Sequence, residues 1–209
     1  MLNRAILCIL SCLYVLTAAR VQTVNGKIKI TVGTTAGCGD TVRFIDQQLS
    51  PAYELYKEFL DIEFVPWGRT RRESSGDLTC QFGPNDCWAN QLHRCALHLL
   101  EGDQDAQVDY MSCEFSPPYP SFLQNSYQCA IAASLSLDEV NNCISSVSRD
   151  LEDVAEAVSD IPMQIINFVP FITFNDVIDI DTHNLARTQL ASLLCSALAD
   201  DPTTGVTNC

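Results

Sequence analysis

Two stretches of the chain alternate polar and apolar residues, the period of a half-buried β-strand. They are Lys27–Val32 and Asp61–Val65. Between them, apolar residues recur at helical spacing from Val42 to Phe59, and Pro51 predicts a kink or a break in that helix. The pattern indicates a strand–helix–strand unit, which would cross over right-handed if both strands lie in one sheet.

A further helix is predicted to start at Ser136, because Ser136 and Glu139 form a capping box. Its later part has an apolar stripe, which consists of Leu151, Val154, Ala155 and Val158. Four acids lie mainly off this stripe, namely Asp150, Glu152, Asp153 and Glu156. We interpret these acids as a solvated face of the helix.

The last part of the chain contains one more strand and one more helix. Phe171–Phe174 is a short apolar strand that follows Val169–Pro170, and Thr182–Leu198 has the spacing of a terminal helix. Between the second strand and Pro170 the chain is first polar and irregular, then rich in cysteine. The predicted order is therefore strand, helix, strand, a cysteine-rich helical insertion at about residues 80–160, strand and helix.

The first residues have the pattern of a secretory signal peptide. Arg4 precedes an apolar run that ends at Leu16, and small residues follow at Thr17–Ala19. We expect residues 1–19 to be removed and residues 20–209 to form a single domain, since about 190 residues suffice for one core of ordinary size. No later run is apolar enough to span a bilayer. The expected location is extracellular, and lysosomal delivery is disfavoured because there is no Asn-x-Ser/Thr acceptor for an N-glycan.

The net charge argues against two generic classes of partner. The chain has 12 basic and 26 acidic residues, a formal net charge of −14, and loses a further positive charge with Arg4. A protein this acidic is not expected to bind nucleic acid or anionic membranes. One basic cluster, formed by Arg69, Arg71 and Arg72, is interpreted as a solvated loop, with a patch for an acidic partner as the alternative.

Nine cysteines follow the signal peptide, and an exported protein this rich in cysteine is expected to be cross-linked by disulfides. Nine is odd, so at least one thiol is free, capped or bonded to another chain. If Cys38 is that thiol, the other eight form four structural disulfides of open pairing: Cys80, Cys87, Cys95, Cys113, Cys129, Cys143, Cys195 and Cys209. Cys209 is the rival candidate, because a mobile terminus could link a homodimer.

Cys38-Gly39-Asp40-Thr41 lies between the first predicted strand and the first predicted helix. A helix N-terminus favours the thiolate and hence attack on disulfides, although Asp40 opposes this effect. Thioredoxin-type exchange needs two thiols three residues apart, and Thr41 stands where the second would be. Attack by Cys38 would give a mixed disulfide that only an external thiol could release. Efficient dithiol turnover is therefore not expected from this motif.

Residues 80–95, CQFGPNDCWANQLHRC, are similar to the signature C-Q-H-G-x-x-E-C-x-x-N-x-x-x-x-C. The signature residues that fit are Cys80, Gln81, Gly83, Cys87, Asn90 and Cys95. Val65–Gly68 is similar to a V-P-Y-G motif and Val169–Asn175 to V-P-W-I-x-x-N. Over about residues 27–198 the chain thus resembles the gamma-interferon-inducible lysosomal thiol reductase family, in a divergent arthropod form of mosquito type.

The resemblance implies a thioredoxin-like α/β fold with a disulfide-stapled, cysteine-rich helical insertion, and a family activity of reducing protein disulfides in an acidic compartment. It also implies that Pro170 is a cis-proline facing Cys38 that clamps an extended substrate, with a proline that merely starts a strand as the alternative. Two departures affect the chemistry. The family's C-P-x-C motif has lost its proline at Gly39 and its resolving thiol at Thr41, and the signature histidine is Phe82.

The preferred hypothesis is a secreted member of this family that lacks efficient reductase activity and binds extracellular or microbial surface proteins in host defence. The alternative is an enzyme, a monothiol reductase or isomerase with Cys38 as nucleophile, Pro170 as substrate clamp and an external thiol as resolving group. A third, structural hypothesis places Cys38 in a disulfide and Cys209 between two chains.

Other candidate sites are weaker. A zinc site formed by Cys80, Cys87 and Cys95 with His93 and His98 is disfavoured, because the spacing lacks close cysteine pairs and the compartment oxidises thiols. We expect neither a metal nor a cofactor. The remaining histidine, near the start of the terminal helix at position 183, is expected on the surface.

Overall fold

The computed structural model describes residues 21–207 and residue 209. The predicted signal peptide, residues 1–19, lies outside the described residues, and the predicted domain boundaries stay a prediction. The elements follow one another in this order: β1 (Ile28–Thr34), α1 (Gly39–Phe44), α2 (Ser50–Tyr56), β2 (Leu60–Pro66), β3 (Arg71–Arg72), β4 (Leu78–Thr79), α3 (Pro84–Leu99), α4 (Gln104–Glu114), α5 (Pro120–Gln124), α6 (Gln128–Ala132), α7 (Leu137–Ser146), α8 (Ser148–Ile165), β5 (Phe171–Phe174) and α9 (Ile180–Ala199).

A three-stranded sheet of order β2–β1–β5 forms the centre of the fold. β2 runs parallel to β1, and β5 runs antiparallel to it. Because β1 is the middle strand, even its polar residue Thr31 is buried, where the alternating pattern predicts a half-buried strand. A parallel β1–helix–β2 unit followed by an antiparallel strand and a terminal helix is the thioredoxin-like arrangement. The predicted fold class is therefore confirmed.

The helical segment between β1 and β2 is irregular next to Pro51, as the sequence predicts. Proline has no N–H and cannot continue the ordinary hydrogen-bond ladder. A π-helical turn, Ile45–Leu49, joins α1 to α2, and the Ser50 N–H donates to the Ile45 carbonyl. A 3₁₀ turn, Lys57–Phe59, then leads into β2. The irregular segment still contributes to the core, because Ile45 and Leu49 are buried.

The helix predicted to start at Ser136 is two helices, α7 and α8, which meet at Val147. Ser136 occupies the N-cap position of α7, but its side chain makes no capping hydrogen bond. The predicted apolar stripe on α8 is only partly covered. Ala155 is buried, whereas Val154 is 61% exposed, so the periodicity identified the face but not its burial.

The predicted solvated acidic face of α8 is wrong for Glu152, which is buried. Arg72, in the loop predicted to be solvated, pairs with three carboxylates of this helix: Glu152 at 3.3 Å, Asp153 at 2.8 Å and Glu156 at 3.0 Å. Arg94 of α3 also lies 3.5 Å from Glu152. The loop contains a short antiparallel hairpin, β3–β4. The charge cluster links this hairpin and α3 to α8. Because Arg72 and Glu152 are 80 residues apart, the local sequence pattern does not predict their contact.

Four disulfides cross-link the chain: Cys80–Cys87, Cys95–Cys143, Cys113–Cys129 and Cys195–Cys209. The prediction of structural disulfides is confirmed. Cys209 is bonded within its own chain, so the hypothesis in which it is the odd thiol does not fit this structure. Within residues 21–207 and at 209, Cys38 is the only free cysteine. In the same part of the chain, no helix is both long and apolar enough to cross a membrane.

Candidate functional site

Cys38 lies at the end of the loop that leaves β1 and forms the N-cap of α1. Its side chain is 6% exposed, and the thiol donates a hydrogen bond to the Val169 carbonyl oxygen at 3.4 Å. The Val169–Pro170 peptide bond is cis, and Pro170 immediately precedes β5. Residues 131 positions apart in sequence are thus in contact, and this contact defines the candidate site.

Thr41, at the position of the absent resolving thiol, is fully buried. Its hydroxyl has no hydrogen-bond partner within the described residues. A hydroxyl can neither form nor open a disulfide, so the site holds one reactive sulfur. The Asp40 carboxylate beside this sulfur pairs with Arg43 at 2.7 Å, which offsets the negative charge next to the thiol.

Two buried side chains of α3 hold the loop that precedes the thiol. The Asp86 carboxylate accepts hydrogen bonds from the Thr35 hydroxyl at 2.9 Å and from the Gly37 N–H at 3.0 Å. Asn90 accepts from the Ala36 N–H at 2.9 Å and donates to Asp86 at 3.1 Å. Asn90 fits the signature, whereas the sequence alone predicts no role for Asp86. The available signal was its position, since Asp86 replaces the glutamate of the signature.

Phe82, in place of the signature histidine, covers this loop. A Cβ atom at Gly37 would lie 2.6 Å from the Phe82 Cβ, so the packing requires glycine there. The Phe82 N–H donates to Asp86 at 3.2 Å, and its ring contacts the edge of Phe122 with centroids 6.5 Å apart. The surface beside the thiol is therefore apolar and lacks the proton-transfer group that an imidazole would supply.

A cleft of about 290 Å³ lies at Cys38. Its rim includes Gln81, which the signature predicted as a site residue, and Arg69, which sequence analysis placed in a solvated loop. Asn167 fixes Arg69, because its side-chain and backbone oxygens accept from the guanidinium at 2.7 and 2.5 Å. Arg69 is therefore exposed as predicted, but it is an ordered part of the site.

The expectation that His183 lies on the surface is wrong. Its side chain is 2% exposed, and Nδ1 accepts a hydrogen bond from the Ile172 N–H at 3.2 Å. Burial, together with the positive charge of Arg187, lowers the His183 pKa to about 4. β5 is an edge strand, so its outward N–H groups need an acceptor from outside the sheet. The neutral imidazole supplies one and fixes the strand that follows Pro170.

The remaining signature residues shape the backbone or form disulfides. Gly83 forms the N-cap of α3 with a φ of +86°, a conformation that L side chains rarely adopt. The Cys80–Cys87 disulfide spans the turn that carries Gln81. Cys95 is bonded to Cys143. Since these three signature cysteines are in disulfides, their sulfurs are not thiolates that could bind zinc.

Comparisons with known proteins are consistent with the motif analysis. A sequence profile for the family described as Gamma interferon inducible lysosomal thiol reductase (GILT) matches residues 29–133. "GILT-like protein 1" of Drosophila melanogaster is 23% identical over 186 residues, which cover 81% of this chain and 74% of that protein. The "Gamma-interferon-inducible lysosomal thiol reductase-like protein" of Anopheles gambiae is 30% identical over 100 residues, 43% of this chain and 42% of its own length.

Among solved structures, similarity at low sequence identity extends to two DsbA1 chains. An oxidised mutant of DsbA1 has a TM-score of 0.45 at 12% identity, with 87% of this chain and 90% of that chain covered. The oxidoreductase NmDsbA1 from N. meningitidis has a TM-score of 0.43 at 12% identity, with 87% and 89% covered.

Proposed function

The chain belongs to the gamma-interferon-inducible lysosomal thiol reductase family. From this premise we propose that it is an exported member of the family that lacks efficient dithiol reductase activity and acts by binding other proteins. Its partners in this proposal are extracellular or microbial surface proteins, in a role in host defence. The observation that supports the proposal is the sulfur content of the site. Cys38 is free, Thr41 occupies the resolving position, and the other described cysteines are all in disulfides.

Loss of the second thiol changes what the site can do chemically. Attack of the Cys38 thiolate on a disulfide forms a mixed disulfide and releases the partner's other sulfur as a thiolate. In a dithiol enzyme the resolving thiolate then attacks at an effective concentration of about 10⁵ M or more, so the mixed disulfide is short-lived. Thr41 cannot make this attack. The adduct persists until an external thiol arrives, which suits retention of a partner better than turnover.

Cysteine usage supports export. Four disulfides in a chain of this size are typical of proteins in oxidising compartments and rare in the cytosol. The signal-peptide pattern of residues 1–19 favours the same route. The absence of an N-glycan acceptor favours the extracellular space over the lysosome.

A disulfide turnover assay tests the loss of reductase activity. The mature chain and its Cys38→Ser variant are incubated with insulin and an external thiol at acidic and at neutral pH. We expect insulin reduction by the wild type to stay close to that of the variant. Rapid, repeated reduction that depends on Cys38 at either pH would contradict the proposal.

A cell-binding assay tests the class of partner. The labelled mature chain is mixed with intact microbial cells before and after their surface proteins are removed with a protease. We expect binding that is saturable and lost after protease treatment. Binding that survives the treatment, or no binding at all, would contradict a microbial surface protein as partner.

A second candidate function is monothiol exchange, in which Cys38 is the nucleophile, Pro170 the substrate clamp and an external thiol the resolving group. The observation that favours it is that Cys38 lines a cleft and, among the described residues, has no disulfide partner. Alkylation of the native, non-reduced protein followed by mass spectrometry tests this function. Rapid labelling of Cys38 supports it, and a disulfide at Cys38 in the secreted protein excludes it.

A further inference from the structure

The Cys38 cleft is one of two clefts that meet at Gly39. The second, of about 440 Å³, has an apolar wall formed by Val42, Tyr119, Phe122 and Leu123. Gly39 and Arg43 line both clefts. A Cβ atom at Gly39 would have no other atom within 4 Å, so the ridge between the clefts is open. An extended chain can therefore cross from one cleft to the other directly beside the thiol.

The second cleft contains an exposed apolar surface. Leu123 lines this cleft and is 59% exposed, and its neighbour Phe122 contacts Phe82, which lines the Cys38 cleft and is 41% exposed. Apolar side chains that are this accessible next to a cleft commonly mark a binding surface. The side of the thiol towards α5 is therefore complementary to an apolar side chain of a ligand.

The first cleft has apolar side chains, Phe82 and Phe168, but its rim also has a cation that no carboxylate of the described residues neutralises. Arg43 is paired with Asp40, whereas Arg69 contacts only the two oxygens of Asn167 among the described residues. A guanidinium has five N–H donors, so Arg69 keeps donors for a ligand while Asn167 holds it in place. In a chain with a formal net charge of −14, this side of the thiol is complementary to a carboxylate.

We propose that the two clefts together bind an extended polypeptide segment whose cysteine has an apolar side chain on one side and an acidic side chain on the other. The cysteine lies over Cys38, the apolar side chain packs against Phe122 and Leu123, and the carboxylate pairs with Arg69. The proposal rests on the proposed function, since it names the ligand of the same site. The net negative charge of the protein does not oppose it strongly, because salt screens distant charges beyond about 8 Å.

A peptide exchange assay tests this ligand class. Short peptides carry one cysteine as a 2-thiopyridyl disulfide, flanked by Phe or Ala on one side and by Glu, Gln or Lys on the other, in both orders. Cys38 attacks the peptide sulfur, a disulfide forms between the two, and the pyridine sulfur leaves with the electron pair and is released as pyridine-2-thione. The activated disulfide is the oxidant, so no other reactant is needed. The measured quantity is the second-order rate of thione release from the mature chain.

We expect the peptide with Phe and Glu to react fastest in one of the two orders. Glu should react about 2- to 5-fold faster than Gln, the size of an exposed ion pair, and Lys should react most slowly. Phe should react about 3- to 10-fold faster than Ala, the size of a partly buried aromatic side chain.

Matched variants assign these preferences to the two clefts. Arg69→Gln should abolish the preference for Glu, whereas Arg71→Gln, the same change at an exposed arginine outside the cleft, should retain it. Leu123→Ser should reduce the preference for Phe, whereas Leu55→Ser, at a leucine that is 66% exposed on α2, should not.

Two results would overturn the proposal in distinguishable ways. If all peptides react with Cys38 at the same rate, the ligand class is wrong, while the availability of the thiol in the proposed function stands. If no peptide reacts although the protein is folded, Cys38 does not receive a ligand sulfur, and the covalent part of the proposed function fails as well.

Discussion

Substitution of Asp86 by asparagine tests whether the signature helix α3 holds the thiol loop in place. The carboxylate accepts hydrogen bonds from the Thr35 hydroxyl, the Gly37 and Phe82 N–H groups and the Asn90 amide. The side chain is fully buried, so water cannot replace a lost acceptor. An asparagine of nearly the same shape has one acceptor oxygen and one NH₂ group, so at least one of these donors faces another donor.

The cost follows from the number and type of these bonds. A buried group left without a partner costs about 1–3 kcal/mol, and the bonds that survive lose the strength that a charged acceptor provides. We expect Asp86→Asn to lower the free energy of unfolding by about 2–4 kcal/mol, measured by urea denaturation. The control Asp109→Asn changes an exposed carboxylate of α4 and should stay within about 0.5 kcal/mol of the wild type.

The same substitution should make Cys38 more reactive towards iodoacetamide. The 6% exposed thiol is alkylated through local opening of its loop, and each 1.4 kcal/mol lost from the opening free energy raises the rate about tenfold. We expect alkylation of Cys38 to become about 10- to 100-fold faster under native conditions. If Asp86→Asn matches Asp109→Asn in both stability and alkylation rate, α3 does not hold the loop and the reasoning is refuted.

Three further predictions concern other parts of the molecule. Thr41→Cys should raise insulin reduction at least about tenfold over the wild type, because a second thiol can resolve the mixed disulfide. It should cost little stability, since the Thr41 hydroxyl has no hydrogen-bond partner among the described residues. No gain in a folded variant would indicate that the missing sulfur is not what limits turnover. His183 is held neutral with a pKa of about 4 against an ordinary 6.5, so the unfolded chain binds more protons between these pH values and stability falls as the pH is lowered through this window. The wild type should lose about 2–3 kcal/mol more than His183→Gln between pH 6.5 and pH 4 in urea titrations, and parallel profiles would contradict the assignment. Removal of the Cys95–Cys143 disulfide by a double serine substitution should lower the free energy of unfolding by about 4 kcal/mol, and removal of Cys80–Cys87 should lower it by about 2.5 kcal/mol. The difference is expected because the first disulfide joins residues 48 positions apart and the second joins residues 7 apart. Equal unfolding midpoints in urea would argue against an entropic origin of this stabilisation.

Local periodicity predicted the elements that carry the site. The alternating pattern located β1 and β2, the apolar run before a polar turn located β5, and helical spacing located α9. These predictions succeeded because strand and helix periods are properties of neighbouring residues. The odd count of cysteines also predicted at least one thiol without a partner in the chain, and among the described residues Cys38 is the free one.

Polar residues with distant partners were predicted poorly. His183 and Glu152 have the sequence environment of surface residues, yet both are buried. In each case another element pairs with the side chain: the Ile172 N–H donates to Nδ1 of His183, and Arg72 and Arg94 pair with Glu152. Burial of a polar group is costly unless the group is hydrogen-bonded or paired, and the identity of the partner depends on the tertiary fold.

The sequence by itself determined the order of the main elements, the resemblance to a reductase family and the absence of a sulfur at Thr41. Only the tertiary structure decided how the eight other cysteines pair, that the Val169 carbonyl faces the Cys38 thiol, and that a cleft with an apolar wall adjoins the cleft with Arg69 on its rim. The physical reason is that composition and the periodicity of helices and strands depend only on the residues themselves and their neighbours in sequence. Contacts between residues more than a hundred positions apart arise only when the sheet brings β1 and β5 together.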